Sequence, residues 1–129
     1  MTLRDVPPAE RGRIRREGRV FGRSVLGAPL QVFESDAPDG GLLVFAGTHG
    51  DEGESVAVLS AALRSLPPGA LAADVVLALN PDGLALGTRG NARGVDLNRN
   101  LPATNWDGSG TTYRWTVDAP REVALGTGG

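Results

Sequence analysis

The stretch of sequence that decides the fold is 42–53, LLVFAGTHGDEG, in which an apolar run ends in a glycine-rich, acidic segment. The run 42–46 contains no polar side chain, a pattern typical of a strand buried on both faces of a helix-covered sheet. Open α/β sheets form their binding sites at the carboxyl ends of strands. Residues 47–53 are therefore the first candidates for a functional site.

A helix and a second strand follow this run. Residues 54–66 carry four apolar side chains whose spacings of 3, 4 and 3 place them on one helical face. These side chains are Val56, Leu59, Leu63 and Leu66. The proline-rich stretch 67–69 ends the helix, and the apolar run 73–79 predicts a second buried strand. The order strand, helix, strand predicts a right-handed βαβ unit and an α/β fold.

The segment before this unit divides into an arm and a hairpin. Residues 1–18 are polar and rich in arginine, and the acidic residues interleaved with the arginines favour a solvated arm. A nucleic-acid-binding or membrane-binding arm is the alternative. Residues 19–26 and 30–34 predict two strands around a short connection of small residues and proline. The turn-forming stretch 35–41 closes this unit.

Composition excludes several kinds of chemistry. The 129 residues hold 13 basic and 15 acidic side chains. The formal net charge of −2 lacks the excess of positive charge that is typical of nucleic-acid-binding proteins. Every basic residue is arginine, which excludes lysine-dependent catalysis, and no cysteine is present for a disulfide or a thiolate zinc site. The apolar runs are too short to cross a bilayer and no signal-peptide pattern is visible. We expect a cytoplasmic protein without a nucleic-acid or membrane partner.

His49 and Glu52 are candidate zinc ligands, because they follow the first predicted strand directly. An imidazole and a carboxylate three residues apart can bind one zinc ion when the backbone turns between them, and Gly50 permits such a turn. A turn histidine beside a helix-capping glutamate is the alternative interpretation. A catalytic zinc also needs a third protein ligand, and His49 is the single histidine of the chain.

Residues 94–100, GVDLNRN, predict a site that binds a carboxylate. Arg99 supplies a planar fork that matches a carboxylate, and Asn98 adds a neutral donor. Arg89 offers a second fixed positive charge. The alternative is a polar loop whose Asn and Asp side chains bond the local backbone, with arginines that are merely solvated.

Taken in order along the chain, these pieces resemble one family. They are Thr-His-Gly-Asp-Glu at 48–52 after the first strand, Asn-Pro-Asp-Gly at 80–83 after the second, Thr-Arg-Gly-Asn at 88–91 and the stretch 94–100. The order resembles the zinc metallocarboxypeptidase family and, within it, the bacterial murein peptide amidases, which cleave the γ-D-glutamyl–diaminopimelate bond in cell-wall recycling. Further likenesses lie at 24–27, 29–30, 100–103, 105–106 and 113–115, so the resemblance spans about residues 18–125.

The resemblance implies a fold and a cofactor. It implies a three-layer α/β/α domain with a mixed, largely parallel sheet, of which 19–129 would be the N-terminal portion. His49 and Glu52 would be the first two ligands of one Zn²⁺ ion. Asp96 would be the carboxylate that holds the His49 ring and fixes its tautomer.

The resemblance also implies how a substrate would be held. Arg89 would be catalytic, polarising the scissile carbonyl and stabilising the developing oxyanion. Asn98 and Arg99 would bind a free carboxylate of a peptide substrate, such as one on diaminopimelate.

The chain departs from the family pattern in the residues that lie further downstream. The family's third zinc ligand is a later histidine and its general base a later glutamate, and Glu122 lies in the segment that would precede them. We therefore expect a domain truncated before its third ligand, with zinc binding too weak to survive dialysis against a mild chelator.

Two alternatives to a complete amidase stay open. One is a deacylase similar to aspartoacylase and succinylglutamate desuccinylase, which share His-x-x-Glu and a similar Asp-Leu-Asn-Arg. The other is a remnant that binds carboxylates without turnover. The Asn-Pro-Asp-Gly sequence at 80–83 favours the peptidase over the deacylase.

Overall fold

The structure, a computed structural model of the chain, describes residues 7–37, 41–109, 111–114 and 122–125. The start of the predicted arm, the centre of the 35–41 turn and Trp115 lie outside the described residues.

The predicted hairpin is present near the start of the described chain. Strand β1 (Arg19–Arg23) pairs antiparallel with strand β2 (Pro29–Val32), with Arg19 opposite Val32 and Arg23 opposite Pro29. Strand β1 ends earlier than the sequence pattern predicts, because the chain turns at 24–28, where the backbone N–H of Ser24 donates to the carbonyl of Ala28 over 2.9 Å. Strand β2 begins one residue earlier and ends two residues earlier than predicted.

The predicted βαβ unit follows. Strand β3 (Leu43–Phe45) leads into helix α1 (Glu54–Ser65), and strand β4 (Asp74–Val76) returns parallel to β3. An antiparallel bridge between Phe33 and Val75, with two backbone hydrogen bonds of 2.8 Å, joins the hairpin to β4. This single bridge sets the antiparallel pair β1–β2 beside the parallel pair β3–β4, and the α/β fold class is confirmed.

Helix α1 buries the face that its sequence spacing predicts. Leu63 is buried in a core cluster with Phe33, Leu71 and Val75, and Leu59 and Leu66 pack against the same cluster. Val56 is half-buried on the same side of the helix, so all four predicted positions lie on one face. Packing of this stripe, rather than helix propensity, stabilises a helix of 12 residues.

The prediction that 42–46 is buried on both faces is wrong. Leu43 is 56 % exposed and Phe45 is 41 % exposed, whereas Val44 packs against the core cluster. Successive side chains of a strand point to opposite faces, so α1 and its neighbours cover only the face that carries Val44. The face that carries Leu43 and Phe45 is left partly open to solvent.

The sequence Asn-Pro-Asp-Gly at 80–83, of a type common in turns, is the beginning of a helix. Helix α2 (Pro81–Leu86) begins there because the side chain of Asn80 accepts a 2.9 Å hydrogen bond from the N–H of Gly83. Pro81 at the first helical position has no N–H to satisfy, so the sequence that resembles a turn also fits a helix start.

Short elements complete the described chain. They are the 3₁₀ helices Pro8–Glu10 and Leu97–Arg99 and the antiparallel strands β5 (Thr111–Arg114) and β6 (Glu122–Leu125). Among the helices of the described ranges, none is long and apolar enough to cross a membrane.

Asp36 connects the chain before β1 to the segment before β4. Its carboxylate accepts hydrogen bonds from the guanidinium of Arg16 over 2.7 Å and from the N–H of Leu71 over 2.9 Å. The pKa of Asp36 lies below its ordinary value. The main cause is the hydrogen bond from Arg16, which favours the ionised carboxylate, and the second is the hydrogen bond from the Leu71 N–H. Ile14 reaches the core cluster from the same side.

This lowered pKa predicts a contribution to stability that depends on pH. A carboxyl whose pKa is lower folded than unfolded stabilises the fold above about pH 4, and the contribution is lost as the pH falls through the folded value. We expect Asp36→Asn to reduce the loss of unfolding free energy between pH 5 and pH 3, measured by urea denaturation. Ser65→Ala, which alters an exposed residue without a titrating group, is the control and should leave this pH dependence unchanged. Equal slopes for Asp36→Asn and the parent chain would contradict the assignment.

Candidate active site

His49 is fixed where the chain leaves β3. The N–H of Ala46 still donates to Val76 across the sheet, and the N–H of Asn80 donates to the Gly47 carbonyl over 2.9 Å. The segment then turns into α1, so His49 lies at the carboxyl end of the strand, as predicted. Its side chain is only 7 % exposed.

The site consists of four side chains that form a closed ring of contacts. His49 Nδ1 lies 3.2 Å from Glu52 Oε2, and His49 Nε2 lies 3.0 Å from Asp96 Oδ1. Arg89 closes the ring, because its Nη1 donates to Glu52 Oε1 over 3.1 Å and its Nε donates to Asp96 Oδ2 over 3.3 Å. The structure thus brings together four of the six residues that the sequence singles out. Arg89, which contacts two carboxylates, is not merely solvated.

Asp96 is the buried charge at the base of this ring. It is 2 % exposed and also accepts a 3.0 Å hydrogen bond from the backbone N–H of Asn98. Burial raises the pKa of the Asp96 carboxyl, but the His49 hydrogen bond, the charges of His49 and Arg89 and the Asn98 N–H together lower it below its ordinary value. An ionised Asp96 holds a proton on His49 Nε2 and fixes the orientation of the ring.

The surroundings of His49 Nδ1, the other nitrogen of the imidazole, show whether a metal ion would fit here. When the proton is on Nε2, Nδ1 presents a lone pair, and this lone pair faces a carboxylate oxygen of Glu52 at 3.2 Å. Two such electron-pair donors repel each other unless a proton or a cation lies between them. Two ligands of one tetrahedral zinc ion, each about 2.0 Å from the metal, lie about 3.3 Å apart. The pair therefore fits two positions of a zinc site.

The ligand set is not complete within the described chain. No group of three or more His, Cys, Asp or Glu side chains suited to a metal occurs in the described ranges. Asp96 cannot serve as the third ligand, because its oxygens bond His49 Nε2 and Arg89 on the far side of the imidazole ring. Among the described residues, His49 and Glu52 therefore supply two positions of such a site and no third.

Asn98 and Arg99 lie beside the ring of contacts, not in it. Both are exposed, and the guanidinium of Arg99 donates to the carbonyl of Asn98 over 3.3 Å. They line an open groove of about 400 Å³ together with Trp106 and Asp107. The N–H of Asn98 donates to the Asp96 carboxylate, so the groove lies directly beside the ring of contacts formed by His49, Glu52, Arg89 and Asp96.

Two buried polar residues at the start of α2 could not be singled out from the sequence. Asn80 is 2 % exposed and Asp82 is 4 % exposed. Asp82 accepts hydrogen bonds from the Ser24 hydroxyl over 2.6 Å and from the Leu26 N–H over 3.0 Å, which attaches the hairpin turn to α2. The sequence feature that could have indicated the burial of Asn80 and Asp82 is Asn-Pro-Asp-Gly at 80–83. The same sequence also occurs in exposed turns, so it does not predict burial.

Comparison with known proteins agrees with this geometry. Residues 38–124 match the family model described as the succinylglutamate desuccinylase/aspartoacylase catalytic domain. The chain belongs to this family. The family model bears the name of the deacylases that the sequence analysis kept as an alternative.

Individual relatives carry the name of the amidases. The chain is 53 % identical over 125 residues to murein peptide amidase A of Escherichia coli K12 and 48 % identical over 130 residues to that of Vibrio campbellii. These matches cover 95 % and 99 % of this chain but 51 % and 52 % of the relatives, so the chain spans about half their length. The resemblance to the murein peptide amidases is confirmed.

Solved structures agree with the sequence matches. The crystal structure of a murein-tripeptide amidase from Escherichia coli O157 superposes with a TM-score of 0.82 at 52 % identity, over 95 % of this chain and 53 % of that one. A candidate metallopeptidase from Shewanella amazonensis matches with a TM-score of 0.60 at 28 % identity, over 75 % of this chain and 38 % of that one. These likenesses confirm the fold class.

Proposed function

We propose that this chain carries the first half of the active site of a zinc-dependent amidase that acts on murein peptides. The bond we assign is the one between γ-D-glutamate and diaminopimelate. The observation that carries the proposal is the ring of contacts in which His49 Nδ1 and Glu52 Oε2 face each other at 3.2 Å while Asp96 holds the opposite ring nitrogen. Identities near 50 % to proteins named murein peptide amidase support the substrate class.

Each side chain of the ring has a separate task in this proposal. His49 and Glu52 would hold zinc, which when bound supplies a Lewis acid and an activated water. Asp96 keeps the proton on Nε2, so that the lone pair of Nδ1 stays available. Arg89, with its side chain 21 % exposed, is positioned to stabilise negative charge that develops on a carbonyl oxygen beside Glu52.

The exposed groove would bind the part of the substrate that carries a free carboxylate. Arg99 can present two parallel N–H groups to a carboxylate, and Asn98 can add a neutral donor. The partner we propose is thus a soluble peptide, and we propose a cytoplasmic location for the reaction. Nucleic acid and membrane play no part in it.

Fusion to the rest of a known amidase tests this proposal. Residues 1–129 would be joined to the part of the Escherichia coli amidase that the chain does not match, which gives a chain of about that relative's length. We expect hydrolysis of L-alanyl-γ-D-glutamyl-diaminopimelate and none in a His49→Ala version of the same fusion. Activity on N-acetylaspartate or succinylglutamate instead would establish the deacylase that the family name favours. Zinc-loaded, folded fusion protein with no turnover on any of the three would leave the carboxylate-binding remnant.

Arg99 should affect substrate binding more than turnover. A carboxylate clamp contacts the ground state and the transition state alike, so Arg99→Ala in the fusion should raise KM about tenfold or more with little change in kcat. Arg99→Lys should recover only part of the loss, since a point charge cannot reproduce the two-pronged contact. Steady-state kinetics on the tripeptide measure both constants. An unchanged KM in Arg99→Ala would remove Arg99 from the substrate site.

A further inference from the structure

Asn80 is a buried amide that contacts both loops of the site without touching the site itself. Its Nδ2 group donates one hydrogen bond to the Thr48 carbonyl over 3.2 Å and another to the Gly90 carbonyl over 3.1 Å. Its Oδ1 atom accepts from the N–H of Gly83 over 2.9 Å. The side chain is 2 % exposed, so water does not replace these partners.

The two carbonyls that Asn80 binds are next to the two halves of the site. Thr48 precedes His49 in the loop after β3, and Gly90 follows Arg89 in the loop after α2. One amide group, with two N–H bonds pointing to two carbonyl oxygens, therefore fixes the distance between these loops. The hydroxyl of Thr88 adds a third contact, a 3.0 Å hydrogen bond to the same Gly90 carbonyl.

The packing around Asn80 leaves room for this amide and no more. A Cβ atom built on Gly83 would overlap Asn80 Nδ2 and would lie 2.7 Å from the Gly90 oxygen. Glycine at position 83 is thus required for the amide to reach both loops. The main chain adds to the connection, because the N–H of Asn80 donates to the Gly47 carbonyl over 2.9 Å.

We propose that Asn80 is a positioning residue that sets the separation of His49 and Arg89, and with it the closure of the ring through Glu52 and Asp96. It acts through the carbonyls of Thr48 and Gly90, and it touches neither metal nor substrate. The proposal relies on the proposed function only for the roles of His49 and Arg89. Whether the two loops are coupled can be measured without any activity.

Two substitutions separate this role from helix capping. Asp and Ser are as good as Asn at a helix N-cap, because each retains an oxygen that accepts from Gly83. Neither can donate two hydrogen bonds: Asn80→Asp would place a carboxylate oxygen against two carbonyl oxygens, and Asn80→Ser is too short and adds no charge. Both variants therefore keep the start of α2 and lose the connection between the loops.

Nuclear magnetic resonance of the 129-residue chain gives a direct measurement. His49 is the single histidine, so its ring nitrogens are assigned without ambiguity. In the parent chain the buried Nε2–H bond to Asp96 and the Arg89 Nε–H bond to the same carboxylate should protect both protons from exchange. We expect both cross-peaks to be lost in Asn80→Asp and in Asn80→Ser, while backbone amides of Phe33 and Val75 report an intact sheet.

Two control variants define the specificity of this loss. Leu63→Ala destabilises the core but touches neither loop, so both cross-peaks should persist. Thr88→Val removes only the hydroxyl contact to Gly90, so the Arg89 signal should weaken and the His49 signal should stay. Persistence of the His49 signal in Asn80→Ser would overturn the proposal. Complete unfolding of both Asn80 variants under conditions where Leu63→Ala is folded would also overturn it, since Asn80 would then be a residue of general stability.

Discussion

Replacing Arg89 with alanine in the fused amidase should lower kcat by about 10²–10³, the usual cost of removing one preorganised oxyanion partner. The guanidinium is held on two sides, by Glu52 Oε1 at 3.1 Å and by Asp96 Oδ2 at 3.3 Å. Its charge is therefore already fixed beside His49 and Glu52 before substrate arrives. Preorganisation of this kind acts on the transition state, so KM should change much less than kcat.

The lysine variant refines this expectation. Lysine retains the positive charge but cannot donate in fixed directions to two carboxylates at once. Arg89→Lys should consequently recover only part of the lost kcat. Arg93→Ala, an exposed arginine four positions further along the chain, serves as the matched control and should leave both constants unchanged. If Arg89→Ala altered KM alone, the roles of Arg89 and Arg99 would have to be exchanged.

Parts of this molecule that depend on local pattern were predictable. Helix α1 was predictable because its apolar side chains repeat at helical spacing. Such a repeat arises whenever one face of a helix is buried, whichever elements bury it. The pairing of β3 with β4 follows from the length of an intervening helical segment, since parallel neighbours need such a crossover. His49 and Glu52 were found because both residue types follow a strand at a spacing that suits one metal ion.

The parts that depend on distant neighbours were not predictable in the same way. An apolar run such as 42–46 indicates a strand, but which of its faces is covered depends on elements elsewhere in the chain. The contact between Glu52 and Arg89 joins residues 37 positions apart, and no local pattern encodes it. The sequence Asn-Pro-Asp-Gly fits an exposed turn and a buried helix start equally well, so only the surroundings of Asn80 and Asp82 decide between them.

The packing beneath the site predicts a second large effect, at Gly50. This residue is buried directly after His49, and a Cβ built on it would overlap the backbone of Gly83 and the carbonyl oxygen of Thr88. Backbone atoms cannot rotate away as a side chain does, so Gly50→Ala has to push the loop after β3 away from α2. Overpacking of this kind costs about 1–3 kcal/mol of unfolding free energy.

The same displacement should also break the ring of contacts at the site. His49 would move with Gly50, so its contact with Asp96 should be lost, and the His49 Nε2–H cross-peak with it. Gly53→Ala is the matched control three residues away: its Cβ would meet nothing closer than a Leu84 carbon at 4.0 Å, and its backbone at φ −67° accepts any residue. We expect Gly53→Ala to lower the unfolding free energy clearly less than Gly50→Ala does. Urea denaturation of the two variants compares them directly, and equal stabilities would contradict the close approach of the His49 loop to α2.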